Sequence, residues 1–250
     1  MTDYSIGITT YQHRFDKWFK PLINQIKTFR PNIEIMVAVN GEKNGLDETY
    51  RKSILEFCAS HKNILPNVYP EFRALPKLWN NMMINASNHN MLILNDDITI
   101  TDVNFFNTLE SLPEEHMQLS KINGSWSHTL IDRRLMSQLG WFDERLLCIG
   151  EEDGDIEWRV GKATGGGRVN QVKLPDIINH VDPENCLKDI KVVNGKYSKF
   201  NEDFIYSVKY DVDAQNGEQY GINPRPLVCK SPTPPQHVVE PFFWANKHLL

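Results

Sequence analysis

The feature that most constrains this chain is the alternation, through its first half, of short apolar runs with longer amphipathic segments. Ser5–Thr9 reads as a first strand, Ile33–Val39 as a second that is apolar enough to be buried on both faces, and Met91–Leu94 as a third. Between them, residues 14–29 carry Phe15, Trp18, Phe19, Leu22, Ile23 and Ile26 at helical spacing and stop before Pro31. Residues 47–60 place Tyr50, Ile54, Leu55 and Cys58 on one helical side, a short extended piece lies around Val68, and a helix runs from about Pro76 to Ala86. Strand, helix and strand in this order predict βαβ units around a largely parallel sheet. Downstream, residues 117–124, 128–131, 169–174 and 177–181 read as strands. Residues 132–139 read as a short helix, and 153–163 as a helix closed by Gly165-Gly166-Gly167.

With 250 residues the chain is long enough for one large α/β domain without covalent staples, and 40% apolar with 24% charged residues is the balance of a globular protein. A net charge of −5 supplies no basic field for a phosphate polymer, so nucleic acid is not expected as a partner. Cys58, Cys148, Cys186 and Cys229 form no C-x-x-C pair, which argues against a structural zinc or redox motif and fits a reducing cytosol. The start lacks the pattern of a secretory signal, and no run approaches the roughly 20 apolar residues of a membrane span. A soluble, cytoplasmic protein is expected, with peripheral membrane contact left open. Six of the 14 prolines fall between Pro224 and Pro241, which predicts an extended stretch there.

Two acidic clusters stand out. Asn95-Asp96-Asp97 ends the third apolar strand, at the carboxyl edge of the sheet, where open α/β folds bind ligands. Such oxygens suit magnesium or manganese, although a strand-ending turn uses the same residue types. Glu151-Glu152-Asp153-Gly154-Asp155 puts four carboxylates at a helix start, more than capping requires. Crowded carboxylates need a cation, an arginine or a shared proton, and one held among like charges is poised as a base. Arg159, one turn beyond Asp155, is spaced to pair with it. His180 ends an apolar run and reads either as an edge residue or as a further ligand to an oxygen-rich metal site.

In this order, these pieces resemble the GT-A nucleotide-sugar glycosyltransferases, particularly the large inverting family 2 type, over about residues 4–182. Ile6-Gly7-Ile8-Thr9-Thr10-Tyr11, with Gln12, His13 and Arg14, is similar to the first strand and the loop that opens the nucleotide pocket. Val39-Asn40-Gly41 is similar to the second strand's polar end near the base, and Leu75-Pro76-Lys77-Leu78-Trp79-Asn80-Asn81 to a segment facing the nucleotide. Leu92-Ile93-Leu94-Asn95-Asp96-Asp97 takes the place of the Asp-x-Asp signature, with asparagine at its first position. Gly140-Trp141-Phe142-Asp143-Glu144 followed by Gly150–Arg159 is similar to Gly-x-Phe-Asp-Glu and then Glu-Asp-x-Asp with a helix bearing arginine.

The resemblance implies a GT-A, Rossmann-like α/β fold with a mostly parallel sheet flanked by helices and an extended C-terminal tail. The expected division is a transferase domain over 1–195, with a nucleotide part to about 100 and an acceptor part after it. A 196–250 extension packs on that body. Thr9, Thr10, Tyr11, Arg14, Asn40, Lys77, Asn80, Asn95 and Asp96 are the implied donor-binding residues. Asp97 and His180 are the implied ligands of Mn2+ or Mg2+, and Asp153 the base, with Glu152 as its substitute. The reaction implied is inverting transfer from a nucleotide-diphosphate sugar, a UDP-sugar foremost, to a hydroxyl of a glycan or glycoconjugate acceptor, as in polysaccharide biosynthesis. Trp126, Trp141 and Trp158 are available as sugar-stacking faces or as core residues. Two other readings stay open: a sugar nucleotidyltransferase, disfavoured by the absence of glycine from residues 9–14, and an inactive domain that binds carbohydrate or a partner.

Overall fold

A computed structural model describes residues 3–42, 45–147, 150–165, 168–181, 199–211 and 228–229. The glycines at 166 and 167, Cys148, Cys186 and, apart from 228–229, the proline-rich stretch and aromatic end that follow Pro224 lie outside these residues. Two compact units form: Met1–Arg73, Asn81–Leu135 and Asn170–Lys188 make the first, and Ala74–Asn80, Met136–Val169 and Asp189–Leu250 the second.

In the first unit the apolar runs become strands. β1 (Tyr4–Thr10) is buried along its whole length, as are β2 (Ile35–Val39) and nearly all of β4 (Asn90–Asn95). With β3 (Ile64–Val68), β6 (Leu119–Ile122), β7 (Ser125–Asp132) and β8 (Asn170–Val172) they form, among the described residues, a seven-stranded sheet in the order β3-β2-β1-β4-β7-β6-β8. β3, β2, β1 and β4 run parallel, as does the β6–β8 pair, while β7 is antiparallel to both neighbours. The register sets Thr9 beside Asn95 and Thr10 beside Val39, which gathers the polar ends of β1, β2 and β4 at one carboxyl edge. A separate ribbon pairs β5 (Ile98–Ile100) with β9 (Ile177–Asn179).

The helices pack their apolar faces on this sheet: α1 (Lys20–Phe29) through Leu22, Ile23 and Ile26, α2 (Glu48–Ala59) through Tyr50, Ile54 and Cys58, and α4 (Asn104–Glu110) through Phe105, Phe106 and Leu109. Asp47 caps α2 by accepting the Tyr50 N–H at 2.7 Å. α3 spans Leu75–Asn85, close to its expected bounds.

Two expected elements are corrected. Residues 14–29 do not form one regular helix. A tight turn at Gln12–Arg14 and a wide π turn at Phe15–Phe19 precede α1, and the Lys20 N–H reaches the Phe15 carbonyl. Pro21 has no N–H to continue the ordinary ladder, which accounts for the re-registration. Met117 belongs to a short helix, α5 (Glu114–Gln118), and not to the following strand, because Pro113 and two glutamates in the first turn favour a helix start there.

In the second unit, α6 (Arg133–Leu139, shared with the first) leads to α7 (Glu152–Ala163), and α8 (Lys199–Phe204) continues as a π turn through Lys209. Leu146, Phe204, Ile205 and Tyr210 form its core with Trp158 and Phe200. A short ribbon pairs β10 (Tyr210–Asp211) with β11 (Val228–Cys229). No helix among the described residues is long and apolar enough to cross a membrane.

Candidate functional site

The residues singled out from the sequence fall into two groups, one in each unit. In the first, Asp96 and Asp97 follow β4 directly and are buried, and Arg14 is delivered beside them by the turn after β1. Its guanidinium forks across the pair, Nη1 donating to Asp96 Oδ1 at 2.6 Å and Nη2 to Asp97 Oδ2 at 2.8 Å. Burial disfavours the arginine's charge, but Asp96 outweighs it and the Arg14 pKa lies above its ordinary value. Burial pushes Asp96 up to about 7 despite Arg14, because little water reaches it. Thr9, Thr10 and the half-buried Tyr11 and Asn95 lie at the same strand ends, and the Tyr11 ring stacks on His13 at 5.4 Å between centroids.

His180 is placed by the β5–β9 ribbon. Its N–H donates to the Asp97 carbonyl at 3.0 Å, while its exposed ring is hydrogen-bonded through Nε2 to the Thr99 hydroxyl at 2.8 Å and packs on Trp18 at 4.6 Å. The His180 backbone therefore meets that of Asp97, whereas the imidazole is directed to Thr99 and Trp18. Asn40 is engaged by the chain itself. Its side chain accepts the Arg73 N–H at 2.9 Å and donates to the Arg73 carbonyl at 3.0 Å.

Two polar groups here escaped the sequence reading. His128 on β7 lies opposite Leu94; burial lowers it to about 4, against the pull of nearby Asp97, so the ring is neutral. Burial and Asp96 push the Tyr50 phenol up, although helical periodicity marks Tyr50 only as core. Neither residue carries a motif; antiparallel pairing and helix packing bring them in.

The donor set suits a hard cation: two adjacent carboxylates at a strand end. Among the described residues no three His, Cys, Asp or Glu side chains are grouped as a cage. An ion that keeps water and phosphate oxygens in its shell requires only one or two protein carboxylates, so Asp97 and Asp96 fit magnesium or manganese.

Lys77 and Asn80, expected to face the nucleotide, are placed by the structure in the second unit with the Gly140–Glu144 motif. Asn80 donates to the Phe142 carbonyl at 2.9 Å and to Glu144 Oε1 at 3.0 Å, and Lys77 lies 3.1 Å from Glu144 Oε2. The acidic run is divided by its surroundings. Asp155 is buried and bonded to Lys209 at 2.7 Å, Tyr210 at 2.6 Å and Arg159 at 2.5 Å, the last as its spacing predicts. Asp143 is buried between Arg145 and Lys209, each at 2.7 Å. Burial alone would raise Asp143, but these two cations hold it well below the usual carboxylate range. Glu152 is buried, accepts the Gly150 N–H at 2.5 Å, and is pushed up to about 8 by burial and by Asp153.

Asp153 remains half-buried on the first turn of α7 and accepts the Gly154 N–H at 2.8 Å. Glu151 precedes the helix in a left-handed conformation, φ 74°. Of the three tryptophans, Trp158 packs edge-on to Tyr210 at 4.8 Å as a core residue, and Trp141 has φ 65° with its carbonyl accepting from Arg159. Trp126 on β7 is half-buried with Lys121 over its ring at 5.8 Å.

No protein-family model and no curated protein sequence matches the chain. Its fold does recur among solved structures. S. aureus TarS in complex with UDP superposes with a TM-score of 0.51 at 14% identity over 68% of this chain and 58% of that one. A mannosyltransferase from Pyrobaculum calidifontis in complex with GDP-Man and Mn2+ gives 0.51 at 11% over 69% and 55%. Glucosyl-3-phosphoglycerate synthase from Mycobacterium tuberculosis, with Mn2+, UDP and glucosyl-3-phosphoglycerate, gives 0.50 at 14% over 73% of each. The chain spans from about a third to under three fifths of the TarS chains it matches. At these identities the likeness is one of fold, and that fold is GT-A, as the motif order implies.

Proposed function

We propose, from the premise that the chain has the GT-A glycosyltransferase fold, that it transfers a sugar from a nucleotide-diphosphate donor, a UDP-sugar foremost, to a hydroxyl of a glycan or glycoconjugate. The observation that carries this reading is the Arg14-bridged Asp96–Asp97 pair at the carboxyl ends of β1 and β4, the sheet edge at which open α/β folds bind ligands. Thr9, Thr10, Tyr11 and Asn95 share that edge and serve the donor; Asn40 supports it indirectly by holding Arg73. Asp97, with Asp96 beside it and His180 adjoining through its backbone, would hold Mn2+ or Mg2+, which when bound stabilises negative charge on the departing diphosphate.

Asp153 is the proposed base. It takes the proton from the acceptor hydroxyl as that oxygen attacks the anomeric carbon in line, which inverts the configuration. What favours Asp153 over Glu152 is accessibility: Asp153 is half-buried, Glu152 is buried and its carboxyl is pushed up by burial, and Asp155 is enclosed by cations. Lys77 and Asn80 support the acceptor-side motif through Glu144.

Isothermal calorimetry of UDP, GDP, CMP and dTDP, with and without manganese, on wild type and Asp97→Ala tests the donor half. Metal-dependent binding of one nucleotide that is lost in the variant is expected. Failure of all four to bind sinks the transferase reading and leaves a GT-A-fold domain that binds carbohydrate or a partner without turnover.

A further inference from the structure

The sequence from Lys196 onward carries no motif, yet two of its side chains hold the acidic run at both ends. Asn201 is buried on α8 and makes three hydrogen bonds to the loop that enters the run. Its Oδ1 accepts the Leu147 N–H at 2.6 Å, and its Nδ2 donates to the Leu147 and Gly150 carbonyls, each at 2.7 Å. At the far end, Lys209 Nζ lies 2.7 Å from Asp155 Oδ1 and 2.7 Å from Asp143 Oδ2, and the Tyr210 hydroxyl donates to Asp155 Oδ1 at 2.6 Å. Lys209 is fully buried, a location an ammonium tolerates only with matched anions around it. Between these two anchors lie Glu151, Glu152 and Asp153. The Gly150 backbone before the half-buried carboxylate and the Asp155 side chain after it are thus held by residues more than 45 positions later in the chain.

We propose that Asn201 and Lys209 are positioning residues that set the geometry of the Asp153 carboxylate, making the 199–211 segment a working part of the acceptor-side half. The inference rests on the reading of Asp153 as the base. The route is mechanical. Asn201 holds Gly150, whose N–H is bonded to Glu152, and Lys209 holds Asp155 on the first turn of α7. Releasing either anchor lets the first turn of α7 shift, and displacement of a base by about 1 Å costs on the order of a hundredfold in rate. Asp96 and Asp97 belong to the first unit and both anchors to the second, so nucleotide affinity is the internal control.

The test uses the full chain carrying Asn201→Ala and, separately, Lys209→Arg, which keeps the charge but not the point geometry. Three quantities are read: kcat, affinity for the nucleotide that wild type binds, and titration of the Glu152 carboxyl by carbon NMR, assigned through Glu152→Gln. In Asn201→Ala, kcat falls at least tenfold with nucleotide affinity within twofold, and the Glu152 titration midpoint moves towards its ordinary value. Unchanged kcat in a folded variant overturns the proposal, and so does equal loss of kcat and nucleotide affinity, which marks a general structural role. If wild type has no transferase activity, the premise about Asp153 has failed. The Glu152 titration then decides alone whether Asn201 sets the geometry of the acidic run: unmoved, the proposal falls. Asn201→Asp, which retains the acceptor for Leu147, replaces Asn201→Ala if that variant does not fold.

Discussion

At the scale of single residues, the candidate site is governed by how buried carboxylates are neutralised. Asp96 and Asp97 share one guanidinium, so Arg14→Met removes the cation that bridges two adjacent buried acids. Stability is expected to fall by about 3–5 kcal/mol, the usual cost of breaking a buried pair by removing one partner, read from urea unfolding. Glu152 offers a second measurement. Its folded pKa, about 8, lies above the ordinary 4.5, so the folded protein binds the proton more tightly than the unfolded chain does. That contribution is present in full below about pH 4.5 and is lost as pH rises through about 8. Glu152→Gln cannot titrate, so its Tm relative to wild type should climb from pH 5 to about pH 8 and then level off; a difference that stays flat throughout would refute the assignment. Asp153→Asn should lower kcat by a factor of roughly 10² to 10⁴ while leaving nucleotide binding intact. Much at this scale is legible in the sequence. The two acidic clusters, the Asp155–Arg159 spacing and the strand-end threonines are all local patterns. The role of Arg14 as the bridge between the aspartates is not local, and neither is the presence of His128, because strand order alone brings residues so far apart into reach.

Elements show the same divide. β1, β2 and β4 announce themselves because strands buried on both faces admit only apolar runs, and α1 and α2 because one face must be apolar. Short elements such as α4, α5 and the β5–β9 ribbon carry too few residues for any period to rise above composition. The turn after β2 shows what cannot be read at all. A Cβ on Gly41 would lie 2.6 Å from the Glu71 backbone, and Asn40 beside it holds both polar groups of Arg73. The sequence suggests a nucleotide contact for Asn40; its structural work is to tie residues 40 and 73 together. Asn40→Ala should therefore cost about 1–3 kcal/mol for each backbone group left buried without a partner. The sharper readout is hydrogen exchange at the Arg73 amide, which should lose its protection while amides of β1 keep theirs. Equal loss in both would mean global destabilisation.

For the molecule as a whole, the sheet, its predominantly parallel order and the position of the acidic edge follow from the alternating pattern of the first half. The second unit does not, because it joins Ala74–Asn80, Met136–Val169 and the chain beyond Asp189, and no window of sequence spans those pieces. Its centre is the buried network of Asp143, Asp155, Arg145, Arg159 and Lys209. Lys209→Met should cost about 3–5 kcal/mol. Because the network is screened from solvent ions, that loss should be nearly the same at 0.05 and 0.5 M salt, conditions chosen to span roughly a threefold change in Debye length. A loss that vanished at high salt would place the lysine in a solvated pair, as for Lys199 and Asp203. The network also imposes an order in time. A ribosome releases Asp143 and Asp155 well before Lys209 and Tyr210, at about 5–20 residues per second. For that interval of seconds, Arg145 and Arg159 are in place but the lysine that both aspartates share is not, and the nascent acidic segment cannot close into its final packing. The first unit's sheet strands are by then already synthesised, so this half of the protein matures last, and a stalled or shortened translation product ending before residue 209 would lack the cation that Asp143 and Asp155 share.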